Sequence, residues 1–135
     1  MILVDTSIMI DFFKGVKNNY VSCFKDIINK QIPFGITSIV YQEILQGAKN
    51  KKEYKLLNEY LNCQRFFHPK HPVSTYEKAA GIYFLCRKKG ITVRSTIDCI
   101  IAQIAIEHNL LLLQNDKDFI HMAPIIGLKL YPVSK

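Results

Sequence analysis

The sequence predicts an α/β domain in which short parallel strands alternate with helices. The chain opens on a β-branched apolar run, Ile2 to Val4, that stops at an aspartate. A second run, Leu110 to Leu113, is continuously apolar, which is typical of a parallel strand buried on both faces. Between these runs, apolar residues recur mostly at helical spacing. With 135 residues, 49% of them hydrophobic, and no internal repeat or linker, the chain is expected to form one domain over residues 1–135.

The first half of the chain is expected to contain both strands and helices. Helical spacing of Val21, Phe24 and Ile27 indicates an amphipathic helix, and Thr37 or Ser38 is suited to cap the helix that follows. The elements expected here are strands at residues 2–5 and 33–36 and helices at residues 7–14, 19–30, 39–48 and 51–66.

The second half is expected to continue this alternation. Two prolines, Pro69 and Pro72, break the chain before a small extended piece near Val73. The four residues from Ser74 to Glu77 form a capping-box pattern that begins a helix running to Gly90. The remaining elements expected are a helix that opens with residues 95–98 and strands at residues 110–113 and 128–131.

The charge of the chain favours a polyanionic partner. Its 18 Lys and Arg outnumber its 11 Asp and Glu, which gives a net charge of +7. The basic residues are clustered, with one group between Lys49 and Lys55 and another between Arg87 and Arg94. A solvated helix face is the favoured explanation of either cluster by itself, so charge alone makes nucleic acid a candidate partner and no more.

Cysteine usage and hydropathy predict a cytoplasmic protein. The cysteines are scattered, with no CxxC pair and no histidine spaced to complete a zinc site, so neither a disulfide framework nor a zinc motif is expected. The chain opens without the pattern of a signal peptide. No run approaches the roughly 18 apolar residues of a membrane span, so no membrane association is expected.

Four acidic residues are candidates for a shared site: Asp5, Glu43, Asp98 and Asp116. Taken singly, each is explained by helix capping or solvent exposure. However, Asp5 and Asp116 both follow apolar runs expected to be adjacent central strands, and Asp98 begins a helix that packs beside them. Because the carboxyl ends of parallel strands meet at one edge of a sheet, these acids are expected to lie together.

Clustered carboxylates need a compensating cation. At ~5 Å, each ionised pair costs about 3 kcal/mol at an effective dielectric near 20. Oxygen ligands without histidine or cysteine favour Mg²⁺ or Mn²⁺, which often bridge a carboxylate to a substrate phosphate. A metal held in this way can activate water for attack on a phosphodiester bond. The acids and the basic remainder together therefore indicate a metal-dependent nuclease.

Four segments, in this order along the chain, resemble the PIN-domain nucleases, and within them the VapC-type ribonuclease toxins of prokaryotic toxin-antitoxin pairs. The segments are ILVDTSIMIDFFKG at the start, TSIVYQEILQGA with Glu43, STIDCIIAQIAIEHN with Asp98, and LLLLQNDKDF with Asp116 and Asp118. The opening DTS is weak by itself, but the four segments in order make a specific pattern.

The resemblance implies a three-layer αβα fold with a five-stranded parallel sheet and endoribonuclease activity that depends on Mg²⁺ or Mn²⁺. It implies Asp5 and Asp98 as the principal metal ligands, Glu43 as a ligand or water-orienting group, and Asp116 as the fourth acid. Thr6 or Ser7 is expected to support the pocket by hydrogen bonding. The implied partners are an RNA substrate, a second copy of the chain in a homodimer, and a small antitoxin whose tail fills the active-site groove.

The chain departs from the family pattern in the segment of the fourth acid. Family members often carry Thr or Ser two places before that acid, where this chain has Gln114. Asp118 is a second candidate for the fourth acid, and Asp116 is preferred because it lies nearer the end of the expected strand.

Two other functional classes compete with the toxin. The same fold could serve a housekeeping RNA-processing nuclease or a catalytically degenerate RNA-binding module. An antitoxin reading frame immediately upstream would favour the toxin over both of these alternatives. A phosphotransfer enzyme or a receiver-like signalling domain is disfavoured. The dehalogenase-type phosphatases need an aspartate where this chain has Ser7, and receivers need a later central-strand aspartate and a lysine at the end of the final strand, neither of which can be placed in this sequence.

Overall fold

The computed structural model describes residues 1–134, which form four strands and seven helices. The strands are β1 (Ile2–Val4), β2 (Phe34–Thr37), β3 (Arg65–Phe67) and β4 (Leu111–Leu113). The helices are α1 (Thr6–Lys14), α2 (Asn19–Asn29), α3 (Ser38–Gln46), α4 (Lys51–Asn62), α5 (Ser74–Lys88), α6 (Thr96–Glu107) and α7 (Lys117–Ile126).

The strands form one parallel sheet in the order β3-β2-β1-β4. Strand β1 is central and its three residues are buried, as its apolar β-branched composition predicts. Val4 at the end of β1 lies opposite Leu113 at the end of β4, and the Asp5 N–H donates to the Leu113 carbonyl at 3.0 Å. The expectation that these two runs form adjacent strands is therefore confirmed.

The connections place helices on both faces of the sheet. From β1 the chain moves outward to β2 and then to β3, whereas the connection from β3 returns across β1 to reach β4. Since parallel crossovers are right-handed, the outward and the returning connections cover opposite faces. The helices pack accordingly, α1 with α2 and α3, α3 with α4, and α5 with α6 and α7. The direction in which the connections cross the sheet therefore switches between β1 and β4, and the carboxyl ends of strands at such a switch are where open α/β sheets bind ligands.

The expected number of strands is wrong by one, because residues 1–134 form a four-stranded sheet. The segment expected as the last strand does run parallel to β4, but it makes only a single bridge, between Leu112 and Leu130. The Leu112 N–H donates to the Lys129 carbonyl, and the Tyr131 N–H donates to the Leu112 carbonyl.

Two local expectations between α4 and α5 are also wrong. The helix expected to reach residue 66 ends at Asn62, and the chain then forms β3, which had not been expected. The extended piece expected near Val73 is absent, because this residue has helical torsion angles and directly precedes α5. Ser74 makes no capping bond there; the Thr75 hydroxyl instead accepts from the His71 N–H and donates to Glu107.

Among the described residues, no helix combines the length and the apolar character that crossing a bilayer requires.

Candidate functional site

Asp5 stands at the carboxyl end of the central strand and caps α1. Its side chain is 5% exposed. One oxygen, Oδ2, accepts from the Ser7 N–H at 3.1 Å and from the Ser7 hydroxyl at 2.7 Å. The Ser7 hydroxyl in turn accepts from the Asn115 N–H at 3.0 Å. Ser7 therefore connects the end of β1 to the segment that follows β4.

Three further acids converge beside Asp5. Asp98 lies in the first turn of α6, while Asp116 caps α7 and Asp118 lies in its first turn. Each offers one carboxylate oxygen, and these oxygens all lie within 4.8 Å of one another. We refer to Asp98, Asp116 and Asp118 as the acidic cluster.

Glu43 approaches the same place from α3. This half-buried side chain accepts a 2.7 Å hydrogen bond from the Thr6 hydroxyl to its Oε1. Thr6 follows Asp5 directly, so the residues after β1 orient two carboxylates, Asp5 through Ser7 and Glu43 through Thr6. The expectation that these hydroxyls support the pocket by hydrogen bonding agrees with both contacts.

The pKa of Asp98 reports on all five carboxylates of the site. The pKa of Asp98 is raised to about 7, first by burial and then by the negative charges of the other four acids, Asp5, Asp116, Asp118 and Glu43. Burial also raises the pKa of Asp5, against the opposing effect of the bonds from Ser7. The uncompensated negative charge of this site favours the neutral form of Asp98, and a bound cation would reverse that preference.

The donors present fit a hard divalent cation. The converging side chains offer carboxylate oxygens, with no histidine or cysteine among them, as Mg²⁺ and Mn²⁺ prefer. Within residues 1–134, positive charge reaches these carboxylates through one ion pair, from Arg94 Nε to Asp118 Oδ2 at 3.6 Å. The other oxygens of the site keep the capacity to coordinate metal.

The four acids singled out in the sequence do lie at one edge of the sheet. Asp98 and Asp116 belong to the acidic cluster, whereas Asp5 and Glu43 lie outside its 4.8 Å limit but within electrostatic reach of Asp98. Asp118, the alternative fourth acid, belongs to the cluster as well.

Sequence reasoning missed two contacts of this site. Gln114 is buried, and its Oε1 accepts a 2.6 Å hydrogen bond from the Asp116 N–H, so the residue that departs from the family pattern holds the backbone of Asp116. Arg94 was assigned only to a basic cluster, yet its backbone N–H donates to Asp118 Oδ2 at 3.1 Å. Its position four residues before Asp98 was the available clue.

A comparison with protein families identifies the class of protein that has this fold. The family model described as PIN domain matches residues 2–124. The chain belongs to the PIN domain family.

Individual relatives show which members of that family the chain resembles. The chain is 29% identical to VapC ribonuclease Mb1587 of Mycobacterium bovis over 130 residues, which cover 96% of each chain. It matches Ribonuclease VapC11 of Mycobacterium tuberculosis with the same identity and coverage. The resemblance to VapC-type proteins inferred from the motifs is therefore confirmed.

Solved structures share the fold at low identity. A chain of VapBC2 from Rickettsia felis, bound to a promoter DNA fragment, matches with a TM-score of 0.72 at 20% identity and covers 99% of this chain and 100% of its own. A chain of VapBC-1 from nontypeable Haemophilus influenzae matches with a TM-score of 0.73 at 20% identity, over 97% of both chains. The predicted α/β class with a parallel sheet between helices is confirmed.

Proposed function

We propose that this protein is a metal-dependent endoribonuclease that acts in the cytoplasm as the toxin of a toxin-antitoxin pair. The observation that carries the proposal is the convergence of five carboxylates at the carboxyl ends of β1 and β4. Membership of the PIN family and similarity to proteins named VapC ribonuclease support RNA as the substrate.

In this proposal, Asp5, Glu43, Asp98 and Asp116 hold Mg²⁺ or Mn²⁺ and are the catalytic residues. When bound, the ion supplies Lewis acidity and lowers the pKa of a water molecule near the scissile phosphodiester. The chain's own groups orient the ligands: the hydroxyl of Ser7 holds Asp5, and that of Thr6 holds Glu43.

Two hydrogen bonds hold Asp116, one through its backbone and one through its side chain. Its N–H donates to Gln114, and its Oδ1 accepts from the Asp118 N–H at 2.9 Å. These contacts leave its second oxygen, Oδ2, available to a cation. Such orientation of ligands by neighbouring hydrogen bonds strengthens metal affinity and activity.

The activity is tested by incubating purified protein with structured RNA in Mg²⁺ or Mn²⁺. We expect cleavage that EDTA abolishes, and we expect Asp5→Asn and Asp98→Asn each to remove it. Asp26→Asn is the matched control, because Asp26 is an exposed acid on α2. Cleavage by either site variant at the parental rate would overturn the site assignment.

An apolar groove beside the site supports an antitoxin partner. The groove has a volume of about 630 Å³ and lies between α1, α3 and α4, where Phe13, Leu57 and Tyr60 line it and Glu43 forms part of its wall. A peptide with apolar side chains placed there would cover the approach to the acids. The related structures are described as VapBC assemblies, which supports a cognate partner of this kind.

The toxin role is tested by expression. Induction of the chain alone should arrest growth. A search for a small reading frame immediately upstream should find one whose co-expression restores growth and whose product co-purifies with the chain. Cleavage without growth arrest, and without a neutralising upstream product, would favour a housekeeping RNA-processing nuclease instead.

An exposed apolar face supports the homodimer. Tyr76, Ala80 and Tyr83 lie at i, i+4 and i+7 on α5 and line an apolar cavity of about 410 Å³ together with Ile97 and Ile100 of α6. Light scattering should give twice the monomer mass, and Ala80→Glu should give a monomer. A parental chain that is monomeric at every concentration would contradict the dimer.

A further inference from the structure

The segment between α5 and α6, residues 89–95, is anchored beside the acidic cluster. Gly90 adopts φ +82°, which allows the chain to turn sharply after α5. Val93 is buried in the core, and the Ser95 carbonyl accepts from the Asp98 N–H. Between these two fixed points, the Arg94 N–H donates to Asp118 Oδ2 at 3.1 Å. The backbone of Arg94 is therefore held rigidly at the rim of the site.

The side chain of Arg94 is not what holds this segment. Any residue except proline offers the backbone N–H that reaches Asp118. The guanidinium lies with Nε 3.6 Å from Asp118 Oδ2, yet 75% of the side chain is exposed. An ion pair exposed to this degree contributes little to folding stability. The arginine side chain therefore has a structural role too small to explain its placement.

The rim of the acidic cluster is a place where a polyanion needs a cation. The carboxylates that would hold the metal also repel the phosphates that must approach it. A guanidinium presents a planar set of N–H donors that matches two oxygens of a phosphate. We infer that Arg94, positioned by Asp118, binds a backbone phosphate of the RNA substrate at the rim of the acidic cluster. This inference rests on the proposed ribonuclease function.

The same contacts separate the roles of the two candidate fourth acids. Asp118 is buried, and its Oδ2 faces both the N–H and the guanidinium of Arg94. Asp116 is half-buried, and its Oδ1 accepts a hydrogen bond from the Asp118 N–H. Each acid keeps one oxygen free of these bonds, but of the two only Asp118 contacts Arg94, so Asp118 is the residue that positions Arg94.

Cleavage kinetics test the role of the guanidinium. Arg94→Ala should raise KM roughly tenfold, the size of one lost charge-assisted hydrogen bond, while kcat changes little. Arg94→Lys should recover part of the loss, because it restores the charge but not the planar fork. The matched control is Arg65→Ala: Arg65 is exposed and begins β3, the edge strand farthest from β4, and its KM should stay parental.

The salt dependence of RNA affinity is a second measurement, which a purely structural role of Arg94 would leave unchanged. If Arg94 makes one phosphate contact, the slope of log affinity against log salt should become shallower by about 0.7 in Arg94→Ala. Affinity is measured by fluorescence anisotropy with a mixed-sequence single-stranded RNA in Mg²⁺, in an Asp5→Asn background. Parental KM and slope in Arg94→Ala, or an equal effect of Arg65→Ala, would overturn the inference.

Binding and cleavage together distinguish failure of this inference from failure of the proposed function. A parental protein that binds RNA through Arg94 but never cuts it would refute the nuclease and leave the contact standing. Asp118→Ala should reproduce the KM increase of Arg94→Ala with an unchanged metal requirement. A collapse of kcat with a raised metal requirement would make Asp118 a ligand and overturn its positioning role.

Discussion

The hydroxyl of Ser7 donates a 2.7 Å hydrogen bond to Asp5 Oδ2, which the Ser7 N–H also contacts at 3.1 Å. Both groups of one residue therefore hold one oxygen of the carboxylate that ends the central strand. Because the same hydroxyl accepts from the Asn115 N–H, it also fixes Asp5 relative to the start of α7. The position of the buried Asp5 carboxylate is thus set by Ser7.

Removal of this hydroxyl should weaken metal use. We predict that Ser7→Ala raises the Mg²⁺ concentration for half-maximal cleavage by roughly tenfold or more, the usual effect of losing a group that orients a ligand. Ser7→Thr, which keeps a hydroxyl, should remain closer to the parent. Ser22→Ala, an exposed serine of α2, is the control. An unchanged metal requirement in Ser7→Ala would show that the Ser7 N–H suffices.

The raised pKa of Asp98 predicts a pH dependence of the metal-free protein. The folded pKa is about 7 against an ordinary value of 3.8, so between these values the folded state holds a proton that the unfolded chain has released. Stability from this group is therefore full below the ordinary value and is lost as the pH rises through the folded value. In EDTA, the melting temperature of the parent should fall from about pH 5 to about pH 8 more than that of Asp98→Asn.

Metal binding should reverse this trend. A cation binds the ionised carboxylates and excludes the proton, so Mg²⁺ or Mn²⁺ should raise the melting temperature more at about pH 8 than at about pH 5. Asp98→Asn should respond weakly at both. An equal metal-induced shift in parent and variant would indicate that the ion binds elsewhere.

The meeting of the acids was predictable because short-range features determine it. Two apolar runs, each followed within three residues by an acid, define the neighbouring strands, and parallel pairing brings Asp5 and Asp116 to the same edge. Asp98 joins them because it lies in the first turn of α6. The contacts of Arg94 and Gln114 required the folded chain, since Arg94 meets Asp118 across 24 positions of sequence.

The strand β3 was missed for a different physical reason. No proline or glycine follows α4 before Pro69, so helical periodicity alone extends the helix to residue 66. What makes residues 65–67 a strand is the parallel edge of β2, where Gly35 lies opposite Arg65. A pairing partner so distant along the chain has no local signature.

That pairing predicts an effect of Gly35. A Cβ added there would lie 2.7 Å from the Arg65 carbonyl oxygen and 2.6 Å from Cε2 of Phe67. Gly35→Ala should therefore destabilise the protein by about 1–3 kcal/mol, as forced overpacking does, measured by urea unfolding. Gly81→Ala on α5, where a Cβ meets nothing within 4 Å, should be neutral or stabilising. Equal stability of both variants would contradict the tight approach of β3 to β2.

The hydrogen bond between Gln114 and the backbone of Asp116 can be tested by substitution. Its Oε1 accepts from the Asp116 N–H at 2.6 Å, the bond that the family's Thr or Ser would be placed to make. Gln114→Leu keeps the approximate volume but leaves that N–H without its partner, so we predict a roughly tenfold loss of kcat with the fold retained. Gln114→Thr should stay closer to the parent, since its hydroxyl can accept the same bond. Circular dichroism verifies folding in each case, and parental kcat in Gln114→Leu would mean that the Asp118 N–H alone orients Asp116.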